Sequence, residues 1–195
     1  MVAHAPEGEL VRIVGHVRRL RSFVNAPISG KPCVFYRAEV SMAAFDSKNG
    51  DTGGRAEVGY AEDHRDFFVE DETGQATVLA TGAQIEFPAG WRDGFDHRII
   101  RFLETNRRAD MAQHLLSTAT LAWGRIDVRH YETILTDGTP VSVLGRARWV
   151  PSAADPATAT MNRSGGKHLI LERDGQNPIV VSGHLKDWID EYPLG

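Results

Sequence analysis

APISGKPCVFYRAEV, residues 26 to 40, is the stretch of this sequence that most strongly determines its fold. Its first part, APISGKP, holds two prolines, which cannot donate a backbone hydrogen bond, around a Ser-Gly pair that is typical of turns. From Cys33 onward the residues alternate in character, as side chains on opposite faces of a strand do. We therefore predict a rigid turn that delivers a core strand. One face of this strand is the better core candidate and consists of Val34, Tyr36, Ala38, Val40 and Met42. The opposite face consists of Cys33, Phe35, Arg37 and Glu39.

Two further strands carry a central glycine and share one pattern. VRIVGHVR at residues 11 to 18 and VSVLGRAR at residues 141 to 148 both follow V-x-[IV]-x-G-x-[VA]-R. A glycine inside a strand lets a sheet bend, because no side chain blocks the approach of a neighbouring backbone. The two segments predict equivalent bent strands in an OB-like barrel.

Two hairpins are indicated by short strands around turn residues. DFFVEDETGQATVLATGA, residues 66 to 83, predicts a hairpin that turns at residues 71 to 74. A role in the turn explains Asp71 and Glu72 better than a role as metal ligands or as an acid–base pair. Asp71 can start the turn, and Gly74 can take positive φ. Near the end of the chain, KHLILERDG and NPIVVS predict a second hairpin, and Ser182 is a candidate cap for a short helix after it.

One long stretch has helical rather than strand periodicity. Apolar residues recur at helical spacing in residues 97 to 118, and a polar patch at 105 to 108 splits the segment in two. Residues 46 to 55 and 151 to 166 are rich in small and polar residues, so we expect a mobile hairpin tip and a flexible loop. We predict one α+β, mainly β domain over residues 1 to 195. Its architecture is a curved, partly closed antiparallel barrel or sandwich, OB-like, with a helical insertion and a short C-terminal helix.

Composition limits the classes of function. The 195 residues include 42% hydrophobic and 25% charged residues, which is ordinary for a globular protein. A net charge of −4 and a pI near 6.1 argue against a general binder of nucleic acid or anionic membranes. The single cysteine excludes an internal disulfide and a thiolate-rich zinc cluster. Because we find no signal peptide and no apolar run near ~20 residues, we expect a soluble protein, cytoplasmic or membrane-proximal.

Four segments follow one another in an order that is more specific than any one of them: APISGKPCVFYRAEV, FFVEDETGQA, YETILTDGTPVSVLG and PIVVS. Together with the first glycine-containing strand, which precedes them, they span residues 11 to 182. This order resembles the GIDE domain, also called the beside-a-membrane (BAM) domain, of the mitochondrial ubiquitin ligase MAPL and its prokaryotic relatives. The resemblance implies a domain tethered between or beside transmembrane helices.

The same resemblance implies that ubiquitin transfer belongs to a separate zinc-binding RING domain. A RING needs closely spaced Cys and His ligands, whereas this chain has one cysteine and eight scattered histidines. We therefore do not expect the ubiquitin-ligase activity of the family in this chain. We predict a non-catalytic interaction or sensor domain whose partner is a protein, a small ligand or a neighbouring membrane segment, with no cofactor and no metal.

Three residues are the candidates for an enzymatic alternative. Cys33 is the one possible thiol nucleophile, but it follows a proline at the start of a strand and has no histidine near it in sequence, which favours a structural role. His130 and Glu132 are two residues apart on a predicted strand, so they share one face and are candidates for an acid–base pair. Metal binding by the same two residues would need a distant third ligand.

Basic and aromatic residues leave binding of single-stranded nucleic acid open as an alternative. OB-like barrels bind single strands through surface aromatics and a basic groove. Arg18 and Arg19 end the first strand, where they form either its solvated end or a small anion-binding patch. The net acidity of the chain argues against nucleic acid. The other candidates for such a surface are Arg37, Arg125, Arg148, Tyr36, Trp123 and Trp149.

Overall fold

The computed structural model describes residues 1–45, 52–88, 90–121, 126–151 and 166–183. In chain order the described elements are β1 (Leu10–Arg19), β2 (Val24–Asn25), β3 (Pro32–Cys33), β4 (Phe35–Phe45), β5 (Thr52–His64), β6 (Phe67–Asp71), β7 (Gly74–Val78), β8 (Gln84–Glu86), β9 (Arg92–Asp93), α1 (His97–Thr105), α2 (Ala109–Leu121), β10 (Ile126–Leu135), β11 (Pro140–Pro151), β12 (Lys167–Glu172) and β13 (Val180–Ser182). A short 3-10 helix, Val2–His4, precedes them. Strand predominates, as the sequence predicted.

The chain forms two compact units where the sequence indicated one domain. Unit 1 contains Met1–Phe23, His64–Pro88 and Leu135–Gly195, and unit 2 contains Val24–Asp63 and Ala89–Ile134. Unit 2 is thus built from two insertions into the chain of unit 1. No single linker separates the units, because each consists of two or more separate chain segments, so a division is not visible along the chain.

Unit 1 is a closed five-stranded barrel. Its strands follow the order β1-β6-β7-β12-β11, and β11 pairs with β1 to close it. β7 and β12 are parallel, while the other barrel pairs are antiparallel. This connectivity is of the OB type and confirms the mainly β, OB-like prediction. The barrel is closed rather than partly closed, and it is not purely antiparallel.

The two glycine-containing strands are neighbours in this barrel. β1 pairs with β11 along its first seven residues and then with β6 along its last four. Gly15 lies just before this change of partner, and a Cβ there would overlap the carbonyl group of Glu70 on β6. The glycine is therefore required for β6 to approach β1. The paired register places each glycine opposite a valine: Gly15 with Val141, and Gly145 with Val11.

Small and branched apolar side chains fill the barrel interior. Every second residue along most barrel strands is fully buried, as the inward faces of a small barrel require. The hairpin between β6 and β7 forms as predicted, with Asp71 opposite Gly74. The buried residues of the barrel strands include Ile13, Val17, Phe67, Val69, Ala76, Val78, Val141, Val143, Ala147, Leu169 and Leu171.

The predicted C-terminal hairpin is wrong in its pairing. β12 and β13 do not form a ladder with each other; both pair with β11, β12 at residues 146 to 151 and β13 at residues 142 to 144. At twelve residues, β11 is long enough to hold both strands on one edge, and a turn bridged by Asp174 and Asn177 joins them. β8 then pairs with β13 in parallel.

Several predicted loops fall partly outside the described residues. Of the hairpin tip predicted at 46 to 55, residues 46 to 51 are not described and residues 52 to 55 begin β5. Of the loop predicted at 151 to 166, Pro151 ends β11 and Gly166 precedes β12. The helix predicted after Ser182 lies outside the described residues.

Unit 2 combines a four-stranded sheet, β5-β4-β10-β9, with the short β2–β3 pair and both α-helices. The helical segment is split as predicted: α1 ends at Thr105 and α2 begins at Ala109. Among the described residues, no helix has the length and apolar character needed to cross a membrane. The core cluster consists of Ile28, Ala38, Val40, Val58, Ile99, Phe102, Leu103, Ala112, Leu115 and Val128.

The opening segment contributes to this core less simply than its alternation indicates. Ala38 and Val40 on the predicted core face are fully buried, but Cys33 and Phe35 on the opposite face are buried too. Strand alternation shows which residues share a face, but it cannot show that the start of β4 is covered on both faces.

Candidate functional site

A cavity of about 380 Å³ in unit 2 brings together the two candidate acid–base residues and the turn of the opening segment. β10 supplies one wall, β9 and the start of α1 supply a second, and the turn between β2 and β3 supplies a third. Its lining is mostly polar and includes charges of both signs: Ile28, Ser29, Lys31, Gly90, Arg92, Asp96, Arg98, His130, Glu132 and Ile134.

The turn is attached to β10 through the Glu132 carboxylate. The Ile28 backbone N–H donates to Glu132 Oε1 at 2.7 Å. The Ser29 N–H lies 3.2 Å from Oε1 and 3.0 Å from Oε2. Inside the turn, the Gly30 N–H donates to the Ala26 carbonyl at 2.8 Å, and Gly30 takes φ +71°, a value that favours glycine. The carboxylate therefore fixes the cavity wall.

Pairing of β9 with β10 places Arg92 directly opposite His130. Side chains opposite each other in a sheet lie on the same face, so both reach the cavity. On the other face, Arg129 Nε pairs with Asp93 Oδ1 at 2.9 Å. His130 Nδ1 lies 3.1 Å from the Gly94 carbonyl oxygen, which can only accept, so Nδ1 carries the proton. The Nε2 atom is left for a ligand.

Asp96 and Arg98 line the second wall of the cavity at the beginning of α1. Asp96 is the N-cap, and its Oδ1 accepts the Arg98 backbone N–H at 2.8 Å. The Arg98 side chain donates from Nε to Oδ2 at 2.9 Å. The hydrogen bond from that side chain, with the backbone N–H groups of Arg98 and Ile99, lowers the pKa of Asp96 to about 2. Asp96 is therefore ionised and fully used in the cap.

Cys33 lies in a separate cluster and is 1% exposed. Its Sγ donates to the Val24 carbonyl oxygen at 3.5 Å. Burial, followed by the negative charge of Glu132, raises the pKa of the thiol to about 11. A thiol with this pKa stays protonated at neutral pH and is a poor nucleophile, so its surroundings suit a structural role. The residues around it are Val24, Ala26, Tyr36 and Ile134.

Arg18 and Arg19 lie in a second cavity, of about 420 Å³, on the outer face of β6 and β7 in unit 1. Arg18 Nε pairs with Glu70 Oε2 at 2.6 Å, and its Nη1 lies 3.8 Å from Asp137 Oδ2. The Arg19 guanidinium lies 4.4 Å from the ring centroid of Phe23, a cation–π distance. Arg18 is therefore neutralised locally. The remaining lining residues are Leu20, Phe68 and Gln75.

The other predicted binding residues are dispersed. Arg37 Nε pairs with Glu62 Oε2 at 2.7 Å, and Tyr36 packs half-buried against the Cys33 cluster. Trp149 donates its Nε1–H to the Ala5 carbonyl oxygen at 2.9 Å and lines a shallow cavity of about 330 Å³. Arg148 pairs with Glu172 at 2.8 Å. Trp123 and Arg125 lie outside the described residues.

Sequence reasoning missed most of the cavity. It identified His130 and Glu132, but not Lys31, Arg92 or Arg98, because these residues are far apart along the chain and lie together only through the folding of the β2–β3 turn, β9 and α1. Across the described ranges, no group of three His, Cys, Asp or Glu side chains is arranged to hold a metal ion. Comparison with protein families, with curated proteins and with solved structures finds no match.

Proposed function

We propose that this chain is a non-catalytic recognition domain of the GIDE (BAM) type and that it binds its ligand in the unit 2 cavity. One observation carries the proposal: the polar groups that would serve catalysis are already used to build the cavity wall. Both Glu132 oxygens accept hydrogen bonds from the turn, and His130 Nδ1 donates to the Gly94 carbonyl. A carboxylate held in this way orients a site rather than acting as a mobile base.

The positions of the segments that resemble the family add support. APISGKP forms a wall of the cavity, and the segment YETILTDGTPVSVLG contributes to β10 and β11, which belong to different sheets and do not pair as the sequence indicated. The other two segments form the β6–β7 hairpin and β13 of the barrel. In this proposal the domain binds its ligand beside a membrane segment. Ubiquitin transfer is left to other domains, since this chain lacks the zinc ligands of a RING.

The test uses the full chain and a panel of small anionic, neutral and cationic compounds and short peptides. Binding is measured as a rise in Tm, because a ligand that binds only the folded state stabilises it. Each compound that raises Tm is then followed by ¹H NMR in the presence of the protein. We expect a saturable rise in Tm for at least one class and an unchanged ligand spectrum. Two results would overturn the proposal. One is that the wild type converts a compound and the His130→Ala variant does not; the other is that no compound of the panel raises Tm.

Single-stranded nucleic acid is the second candidate, and the unit 1 cavity favours it. OB barrels use the face of their second and third strands, here β6 and β7, and this face presents Arg19 stacked on Phe23. The test is fluorescence anisotropy of a labelled single-stranded oligonucleotide over a salt series. Binding that weakens with salt and is lost in R19Q/F23A, but kept in K167Q, would support this candidate. The absence of binding at low salt would remove it.

A further inference from the structure

We propose that the unit 2 cavity binds a compact anionic group of the phosphate or carboxylate type, carried on a small organic molecule. The inference rests on the proposed recognition function and names the chemistry of its ligand. It depends on how the charges inside the cavity are already paired.

Both carboxylates in the cavity accept hydrogen bonds from within the protein. Glu132 accepts two backbone N–H groups of the turn, and it also raises the pKa of Arg98 after the larger effect of Asp96. Asp96 is held by the backbone and the guanidinium of Arg98. Asp96 thus has a cationic partner in Arg98, whereas the Glu132 oxygens are occupied by backbone donors.

Two cations in the cavity have no such partner. In the part of the chain that the structure describes, neither Lys31 nor Arg92 forms an ion pair, and both are exposed to solvent. The backbone at Arg92 pairs opposite His130, which places its side chain on the cavity face of β9. Once Arg98 is paired with Asp96, Lys31 and Arg92 face the single negative charge of Glu132, so the cavity keeps one net positive formal charge. This charge favours an anion, and a guanidinium suits carboxylate or phosphate geometry in particular.

Neutral donors and apolar side chains define the rest of the ligand. Ser29 Oγ accepts the Lys31 backbone N–H at 3.3 Å, which leaves its hydroxyl hydrogen for the ligand. His130 Nε2 provides a further polar contact. The volume of about 380 Å³ exceeds that of a bare phosphate and lies within the usual range of small-molecule sites. Ile28 and Ile134 provide the contact surface for an organic part.

Equilibrium dialysis with two probes, inorganic phosphate and succinate, tests the inference on the full chain at constant ionic strength. We expect saturable binding of at least one probe, weakened about tenfold or more in the double variant K31Q/R92Q. The matched control is R101Q, an exposed arginine of α1 that is not among the cavity-lining residues. The near-UV circular dichroism spectra verify that both variants are folded.

The two probes also separate the sources of the anion. Preference for phosphate indicates a phosphorylated ligand, and preference for succinate indicates a carboxylic acid. Binding of neither probe, or equal binding by K31Q/R92Q and the wild type, overturns the anion assignment. In that case a neutral or cationic compound that raises Tm would leave the recognition function standing, whereas conversion of a compound would overturn that function separately.

Discussion

Glu132 holds Ser29 with both oxygens of its carboxylate, although the two residues are 103 positions apart in the chain. The contact joins β10 to the turn between β2 and β3, and the neighbouring Ile28 N–H donates to the same carboxylate. A backbone turn is thereby held by one side chain from a distant strand. The contact gives the glutamate on the cavity face of β10 a structural role in holding the turn.

Replacing Glu132 with alanine should destabilise the protein by about 1–3 kcal/mol, because two backbone N–H groups lose their acceptor. Glu132→Gln keeps one carbonyl oxygen and should cost roughly half as much. The free energy of unfolding is measured in urea at neutral pH. Glu57→Ala, at an exposed position on β5, serves as the control and should change stability by less than about 0.5 kcal/mol. Equal effects at positions 132 and 57 would contradict the assigned contact.

The two barrel glycines should differ in their tolerance of a methyl group. Gly15→Ala places a Cβ against the Glu70 carbonyl group and should cost about 3 kcal/mol or prevent folding. Gly145→Ala places its Cβ 3.3 Å from the Glu172 carbonyl oxygen, so the expected cost is about 1 kcal/mol. Thermal unfolding ranks the variants, with Gly90→Ala as a control because its Cβ would meet no atom within 4 Å. The reverse ranking would show that the strand crossing at Gly15 is misassigned.

Asp71 should contribute more to stability than its neighbour Glu72. Its Oδ1 accepts the N–H groups of Thr73 at 2.7 Å and Gly74 at 3.1 Å, and its Oδ2 accepts the Val2 N–H at 2.8 Å. We expect Asp71→Ala to lower the free energy of unfolding by about 2 kcal/mol and Glu72→Ala to leave it within about 0.5 kcal/mol. Chemical denaturation of both variants makes the comparison.

The same carboxyl gives a pH dependence of defined sign. Burial acts to raise the pKa of Asp71, but hydrogen bonds from Thr73 and Val2 outweigh it and lower the pKa below 3.8. Its stabilising contribution is therefore complete above pH 3.8 and is lost as pH falls through the folded-state pKa. The stability gap between wild type and Asp71→Ala should narrow on acidification; a gap that widens would contradict the assigned hydrogen bonds.

Cys33 should give the opposite pH dependence at the alkaline end. Because the folded-state pKa is about 11 and the ordinary value is 9.0, the contribution of the protonated thiol is complete below pH 9.0 and falls as pH rises towards 11. The wild type should therefore lose more stability than Cys33→Ala between pH 8 and pH 10.5, as measured by urea unfolding. Parallel losses in the two proteins would show that the thiol is not buried.

The sequence was most informative where a pattern is local. The hairpin turn at Asp71 follows from turn chemistry, and the split between α1 and α2 follows from the polar patch at 105 to 108. The resemblance between the Gly15 and Gly145 strands was also visible, because both segments follow one short residue pattern. These features depend on residues within one or two turns of one another.

The features that could not be predicted depend on contacts between distant segments. The sequence predicts a hairpin of β12 and β13, yet both strands pair with β11. Their partner is determined by the length and the free edge of β11, which lies elsewhere in the chain. Nothing in the sequence around Arg92 indicates a site, and only its pairing opposite His130 brings it to the cavity. The separation into two units could not be predicted either, because each unit is assembled from segments that are distant in the chain.

The most direct measurement of the central claim is ¹H–¹⁵N chemical-shift mapping with the compound that raises Tm most. The account predicts saturable shifts at the backbone amides of Ser29, Lys31 and Arg92 while the compound remains chemically unchanged. Shifts confined to the barrel face at Arg19 and Gln75, or conversion of the compound during the titration, would contradict it.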